Sequence, residues 1–316
     1  MANTGIKNKI LGLSPYIEIF IRKVYWNNIN LISKYTSKNI RISNNFTDFD
    51  KILKYLETEG IGNGNLMILH SSFEPLEGTK LTPMQVINKL LEFLGKEGTL
   101  AMNSARKFKE EAGVKEYLTK DYKHTTTTYD VKQTKVWTGV LPFFLVRHPD
   151  SVISEFPLNP MVAIGKLSKD MMENNLKGNL ISCGTGSSWE FCVNNNAVVV
   201  GVGIDLTHSL TIMHVAEEVN PESWPIADWF RTRKFLIINN NQKKEVTVRE
   251  RKPKWGALYF AERTLCKDLI KEKILKTTNI DGVQVEYLHA TKLIDFLNKK
   301  NSKGYPYFGI SKKYIK

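Results

Sequence analysis

Apolar and polar positions are most clearly patterned between residues 65 and 102. The run "NLMIL" (65–69) is unbroken, with Gly64 before it and His70-Ser71-Ser72 after it, as in a short strand buried on both faces. Thr82, Pro83 and Gln85 are the N-cap, N1 and N3 residue types of a capping box. Ile87, Leu90, Leu91 and Leu94 then recur at helical spacing, and Gly95 suits the C-terminal stop. "GTLAM" (98–102) reads as a second strand. Strand, loop, helix and strand in about 38 residues predict a βαβ unit, and such units build parallel sheets.

Upstream, "TDFDKILKYLETEGI" (47–61) predicts an amphipathic helix. Thr47 suits its cap, Asp48 and Asp50 its first turn, and Ile52, Leu53, Leu56 and Ile61 its apolar face. Before it, "SPYIEIFIRKVYWNNINLISKY" (14–35) has the pattern of another helix. That helix suits packing against the body or a partner subunit, with a membrane surface as the alternative. Downstream, strands are expected at 197–203, 234–239 and 245–248, and helices at 211–219, 256–275 and 289–300. Strands and helices mix throughout, without repeats or a Pro/Gly-rich linker. The expectation is an α/β fold: a single layered α/β/α domain with a central mixed sheet over residues 46–316, and a helical N-terminal extension over 1–45.

Composition narrows the class. Hydrophobic residues make up 42% and charged residues 24%, as in soluble globular proteins. No apolar run reaches the roughly 18 residues of a membrane span, and the N-terminus lacks the apolar core and cleavage site of a secretory signal. Cys183, Cys192 and Cys266 contain no C-x-x-C pair, which points to a reducing, cytoplasmic setting and no metal site. The net charge of +13 is spread widely, with runs at "RERKPKW" (249–255) and "SKKYIK" (311–316). It reads as a basic surface, with no nucleic-acid partner expected.

Three stretches carry candidate chemistry. "LHSSFEPLEG" (69–78) leaves the carboxyl end of the first strand, where open α/β sheets bind ligands; equally, Ser71 and Ser72 form a turn. "CGTGSSWEF" (183–191) lets the backbone turn sharply or approach a ligand, but matches neither dinucleotide nor P-loop fingerprints. In "TIMHVAEE" (211–218), His214 and Glu217 share one helical face. A carboxylate there would hold the imidazole tautomer and raise its basicity; the bland reading is a capping or surface pair. H-E-x-x-H and G-x-S-x-G are both absent.

In order, these segments resemble the aminoglycoside 3-N-acetyltransferase family. "LMILHSSFEPLEG" is similar to its strand and H-S-S loop, "VINKLLEFLGKEGTLAM" to its helix and L-G-x-x-G-T-L-x-M, and "YDVKQTKVWTGVLPFFLVRHPDSV" to its Asp, Thr and G-x-L segment. "GTGSSWE" resembles its G-x-G-S turn, "VVVGVGIDLTHSLTIMHVAE" its strand followed by T-x-x-H-x-A-E, and "GVQVEYLHATKLIDFL" its closing segment. The likeness spans roughly residues 50–300. It implies CoA-dependent N-acyl transfer, with acetyl-CoA as co-substrate and no metal. His70, Ser71, Ser72, Gly98 and Thr99 match the CoA-lining stretches, and Thr211, His214 and Glu217 the catalytic, acceptor-side motif. Asp130, Phe156 and Asn159 match positions expected on the acceptor side.

One stretch departs from the family. Its R-S-x-H-P-x-x-S-x-x-A-x-G pattern keeps Ser154, Pro157, Ala163 and Gly165 here. Ile153, Phe156 and Pro160 replace the arginine, the histidine and the second serine, and Phe143 replaces a glutamate. The histidine is the family's expected base, and phenylalanine cannot take a proton. His214 beside Glu217 is the first alternative and His70 the second; a third is an acceptor amine that arrives neutral. His148-Pro149 has the wrong spacing to serve. The basic chain suits an anionic or nucleotide-linked amino sugar, such as a surface-polysaccharide precursor, beside an aminoglycoside. The competing expectation is a catalytically silent or repurposed member that binds CoA, sugar or a partner. A homo-oligomer is compatible with either.

Overall fold

The computed structural model describes residues 10–29, 46–113, 116–310 and 314–315. In chain order its elements are α1 (Pro15–Asn27), α2 (Phe49–Thr58), β1 (Leu66–Ser71), α3 (Pro83–Leu94), β2 (Thr99–Asn103), β3 (Thr126–Asp130), α4 (Val140–Leu145), β4 (Val152–Ile153), β5 (Met161–Gly165), α5 (Ser168–Glu173), α6 (Ser188–Asn194), β6 (Val198–Val202), α7 (Val215–Glu218), β7 (Phe230–Asn239), β8 (Gln242–Arg251), α8 (Pro253–Tyr259), α9 (Glu262–Lys271), β9 (Lys276–Ile280), β10 (Val283–His289) and α10 (Ala290–Asn301). Seven strands form the central sheet in the order β4-β5-β2-β1-β6-β10-β9. β1 pairs parallel with β2 and with β6, while β5 and β10 run antiparallel to their neighbours. The sheet is therefore mixed, with the predicted βαβ unit at its centre.

The unbroken apolar run of β1 serves two cores. Met67 and Leu69 pack with Ile52, Leu56, Leu90 and Leu94 of α2 and α3. Leu66 and Ile68 point the other way, into a larger core containing Trp189, Trp255, Leu265 and Leu293. That is the two-sided burial expected of a parallel central strand. The capping box of α3 forms in both directions: the Gln85 N–H donates to Thr82 Oγ1, and the Thr82 N–H to Gln85 Oε1.

The expected strands at 234–239 and 245–248 exist, but outside the central sheet. They are parts of the β7–β8 hairpin, which joins β3 in a separate three-stranded sheet. Asn240 and Asn241, both at positive φ, make its turn, as two-residue hairpin loops require. Arg233, Phe235 and Ile237 alternate inward on β7, so only one face is apolar, and a strand with one apolar face does not fit the interior of a doubly covered sheet. The expected helix at 256–275 divides into α8 and α9 around Phe260 and Ala261, and its last residue, Leu275, leads into β9. The expected helix at 211–219 begins as a 3-10 turn over Thr211–His214 and becomes α-helical only over α7.

Within the N-terminal stretch, α1 docks through a buried acid. Glu18 accepts the backbone N–H groups of Arg263 and Thr264 at 3.0 and 3.2 Å, which places a carboxylate at the positive end of α9. The outer face of α1 leaves Tyr16 and Phe20 exposed, as is Leu13 just before the helix. Residues 30–35 of the expected helix and most of "SKKYIK" lie outside the described residues. Among the described residues, no helix is long and apolar enough to cross a membrane.

Candidate active site

The carboxyl ends of β1, β2 and β6 emerge on one edge of the sheet. A cavity of about 220 Å³ opens there, lined by His70 and Ser71 from β1, Asn103 from β2, and Thr138, Asn159, Ser209 and Thr211 from neighbouring loops. A second cavity, of about 540 Å³, is lined by Thr211, His214, Glu218, Arg231 and Arg251, among others. Asn159, Ser209 and Thr211 line both, so the two spaces meet at these residues.

In the narrower cavity, His70 is buried and its Nε2 has no hydrogen-bond partner. Burial pushes its pKa down to about 4, so the ring is neutral at physiological pH. It is then a weak base, and better suited to hydrogen-bonding a group that enters the cavity. At the junction, Asn103 Nδ2 donates to Thr211 Oγ1 at 3.2 Å, and the Asn103 carbonyl side accepts the Ala105 N–H. This fixes the Asn103 amide and occupies a Thr211 lone pair. The Thr211 hydroxyl hydrogen is held only by a long contact to the Ser209 carbonyl, 3.5 Å, and can turn to an oxygen in the passage.

His214 Nδ1 lies 2.8 Å from Glu217 Oε2 and 3.1 Å from Arg251 Nη1. One ring nitrogen cannot donate to the carboxylate and accept from the guanidinium at once. The nearer, oppositely charged carboxylate takes precedence, so Nδ1 carries the proton and Nε2 keeps its lone pair. Arg251 also lies 3.7 Å from Glu217, which ties the three groups together. The expected rise in basicity does not follow. Burial and then Arg251 lower the His214 pKa, and together they outweigh the raising effect of Glu217. The ring is therefore neutral and available, rather than strongly basic.

Next to this pair, Glu218 accepts the Cys183 N–H at 2.9 Å, and burial pushes its carboxyl up to about 7. The other carboxylates of the larger cavity already have cationic partners. Glu111 pairs with Arg233; Glu250 with Arg231 and Arg233; and Glu262 with Arg22, Arg263 and His208. Burial would raise Glu262, but His208, Arg263 and Arg22 outweigh it and hold it at about 2.

Several expected positions lie elsewhere. Gly98 and Thr99 sit at the opposite end of β2. Thr99 Oγ1 accepts the Leu167 N–H, and a Cβ at Gly98 would lie 2.3 Å from the Leu94 carbonyl oxygen. Their matching motif reflects helix-to-strand packing, and neither lines either of these two cavities. Ser72 donates its N–H to Val202 at the strand end and lines neither cavity. Asp130 caps its own turn through the Lys132 and Gln133 N–H groups. Phe156 is buried among Phe108, Tyr129, Leu158 and Phe235; the position of the missing histidine has become core. Of the acceptor-side trio only Asn159 faces the cavities. It adopts a left-handed backbone with φ 47 and donates to Ser182.

Sequence reasoning missed Arg251, Glu218 and the His208–Glu262 pair. Arg251 was hidden in a basic run that reads as surface, and the acid doublet Glu217-Glu218 was the available signal for Glu218. Among the described residues, no cluster of His, Cys, Asp and Glu is placed to hold a metal.

A family model described as aminoglycoside 3-N-acetyltransferase matches residues 68–301. The aminoglycoside N(3)-acetyltransferase III of Serratia marcescens is 26% identical over 166 residues, 51% of this chain and 61% of that protein; the chain thus spans about three fifths of this curated relative. Among solved structures, aminoglycoside acetyltransferase AAC(3)-IIb is similar with a TM-score of 0.66 at 20% identity, covering 83% of this chain and 99% of that one. AAC-IIIb, in binary complex with CoASH, gives 0.67 at 17% identity, with 84% and 99% coverage. AAC-VIa bound to sisomicin gives 0.66 at 15% identity, with 82% and 98% coverage. At these identities, the structural likeness bears on the fold alone.

Proposed function

This chain belongs to the aminoglycoside 3-N-acetyltransferase family, and on that premise we propose that it transfers the acetyl group of acetyl-CoA to an amino group of an aminoglycoside-type amino sugar. The observation that carries the reading is the meeting of two cavities at Thr211, with His214 and Glu217 beside it. The narrower space, with the unpaired His70 Nε2, suits the amide-bearing, thioester end of acetyl-CoA. The wider one suits a sugar.

In this scheme the acceptor nitrogen attacks the thioester carbonyl, a C–N bond forms, and the C–S bond breaks. His214 Nε2 takes the proton that nitrogen loses and can return it to the departing thiolate, so CoA leaves as a thiol. Glu217 holds the tautomer, and the Thr211 hydroxyl donates toward the developing oxyanion. Because the pKa of His214 is lowered, juxtaposition of the two substrates supplies much of the rate. Three free cysteines, which suit a reducing setting, and the use of acetyl-CoA support a cytoplasmic reaction.

The finer acceptor class follows from charge. The carboxylates Glu111, Glu250 and Glu262 are already bonded to guanidinium groups, which leaves little for a polycation to bind. Arg231 and Arg251 line the same space, themselves paired with Glu250 and Glu217, so the lining charges are largely matched. This supports an amino sugar with few extra positive charges, or with an anionic or nucleotide substituent. Turnover of a panel of aminoglycosides, free amino sugars and nucleotide amino sugars tests the point; preference for the most cationic members would overturn it. A second reading, a fold retained for binding without turnover, draws on Phe156. It predicts tight CoA binding with no thiol release from any acceptor.

A further inference from the structure

The larger cavity is not built from the family-matched segment alone. Arg22 and Trp26, both from α1, form part of its wall, and both precede residues 68–301. The helix is fixed there by groups that carry charge. Glu18 caps α9, and Arg22 bonds both Glu18, at 3.1 Å, and Glu262, at 3.2 Å. Glu262 in turn holds His208, which also lines the cavity, at 2.7 Å. Trp26 is thus presented on a braced element. Its ring stacks on Tyr117 with centroids 5.7 Å apart and planes 13° from parallel. Tyr117 lines the same cavity and keeps 42% of its surface exposed. The stacked pair shares this wall with Arg22, Arg231 and Arg251.

We infer that α1 is an acceptor-specificity element, and that Trp26 and Tyr117 form a platform for a second ring attached to the amino sugar. The inference rests on the acyl-transfer reading, with the reacting amine at Thr211 and His214. From there the cavity continues to α1, which leaves room beyond the reacting sugar. Aromatic faces bind the apolar face of a second ring and discriminate poorly against its polar substituents. A second sugar and a nucleobase share that chemistry, and the arms of the test separate them.

The test compares wild type, Trp26→Ala and Trp26→Phe on three acceptors with acetyl-CoA: glucosamine, the two-ring aminoglycoside fragment neamine, and UDP-glucosamine. Trp26→Ala is expected to lower selectivity for the ring-bearing acceptor over glucosamine by about three- to tenfold, the range that aromatic contacts supply. The loss falls in acceptor KM, with the KM for acetyl-CoA unmoved, and Trp26→Phe restores most of it. Whichever ring-bearing acceptor shows the loss identifies the ring. Equal losses on all three acceptors, or no loss on any, would overturn the inference. If no acceptor is turned over by wild type, the acyl-transfer reading fails separately. Calorimetric binding of neamine and UDP-glucosamine to wild type and Trp26→Ala then decides the platform, and equal affinities for both proteins refute it.

Discussion

Replacing His70 with glutamine should remove a specific dependence of stability on pH. In the folded protein the imidazole is buried and its pKa is about 4, against 6.5 for the exposed side chain. A depressed pKa means that the unfolded chain binds the proton more readily. The contribution is therefore fully present above pH 6.5 and is lost as the pH falls toward 4. The fall from 6.5 to about 4 corresponds to roughly 3 kcal/mol over the full window, most of it lost by pH 4.5. Urea unfolding of wild type and His70→Gln at pH 7.5 and 4.5 measures this directly. Other acids and bases titrate in both proteins, so the difference between the two pH differences isolates His70. Wild type should lose roughly 2–3 kcal/mol more than the variant on acidification. Equal losses would mean that His70 is solvated or paired in solution, and the description of the narrow cavity would be wrong.

Three further outcomes follow from the same geometry. Glu217→Gln should lower kcat/KM by about 10²–10⁴ through loss of the His214 tautomer, with acetyl-CoA affinity kept; an unchanged rate would detach the carboxylate from the chemistry. Glu18→Ala should cost about 1–2 kcal/mol in urea unfolding, because the first turn of α9 loses its acceptor; a change under a few tenths would mean that α1 does not dock through this acid. Burial pushes the Cys183 and Cys192 thiols up, so both should stay silent to a thiol reagent at neutral pH until the protein is denatured; prompt native labelling of either would contradict their placement.

Local pattern accounts for what was legible in the sequence. The run 65–102 carries strand, capping box, helix and strand within one short span, and each signal depends on near neighbours, so the centre of the sheet could be read. His214 and Glu217 were readable together because three residues separate them. β3, β7 and β8 form a second sheet because a strand flanked by arginines and lysines buries only one face, a tertiary matter that no short window reveals. Arg251 reaches His214 from 37 residues away, and Arg22 reaches Glu262 from 240; neither partnership leaves a local trace. Gly98, Thr99 and Asp130 show the opposite failure. Their motifs are real, but the residues serve backbone packing and a turn.

Thiol release is the direct readout of acyl transfer. Protein, acetyl-CoA and an amino sugar are combined, and free CoA is followed with a thiol reagent, with Cys183 and Cys192 buried and silent. Wild type should release thiol only when an acceptor is present. In His214→Ala the rate should fall by about 10²–10⁴, with CoA binding retained in both. Tight CoA binding without release from any acceptor would mean that the protein is not an acyltransferase, and full turnover by His214→Ala would mean that His214 is not the base.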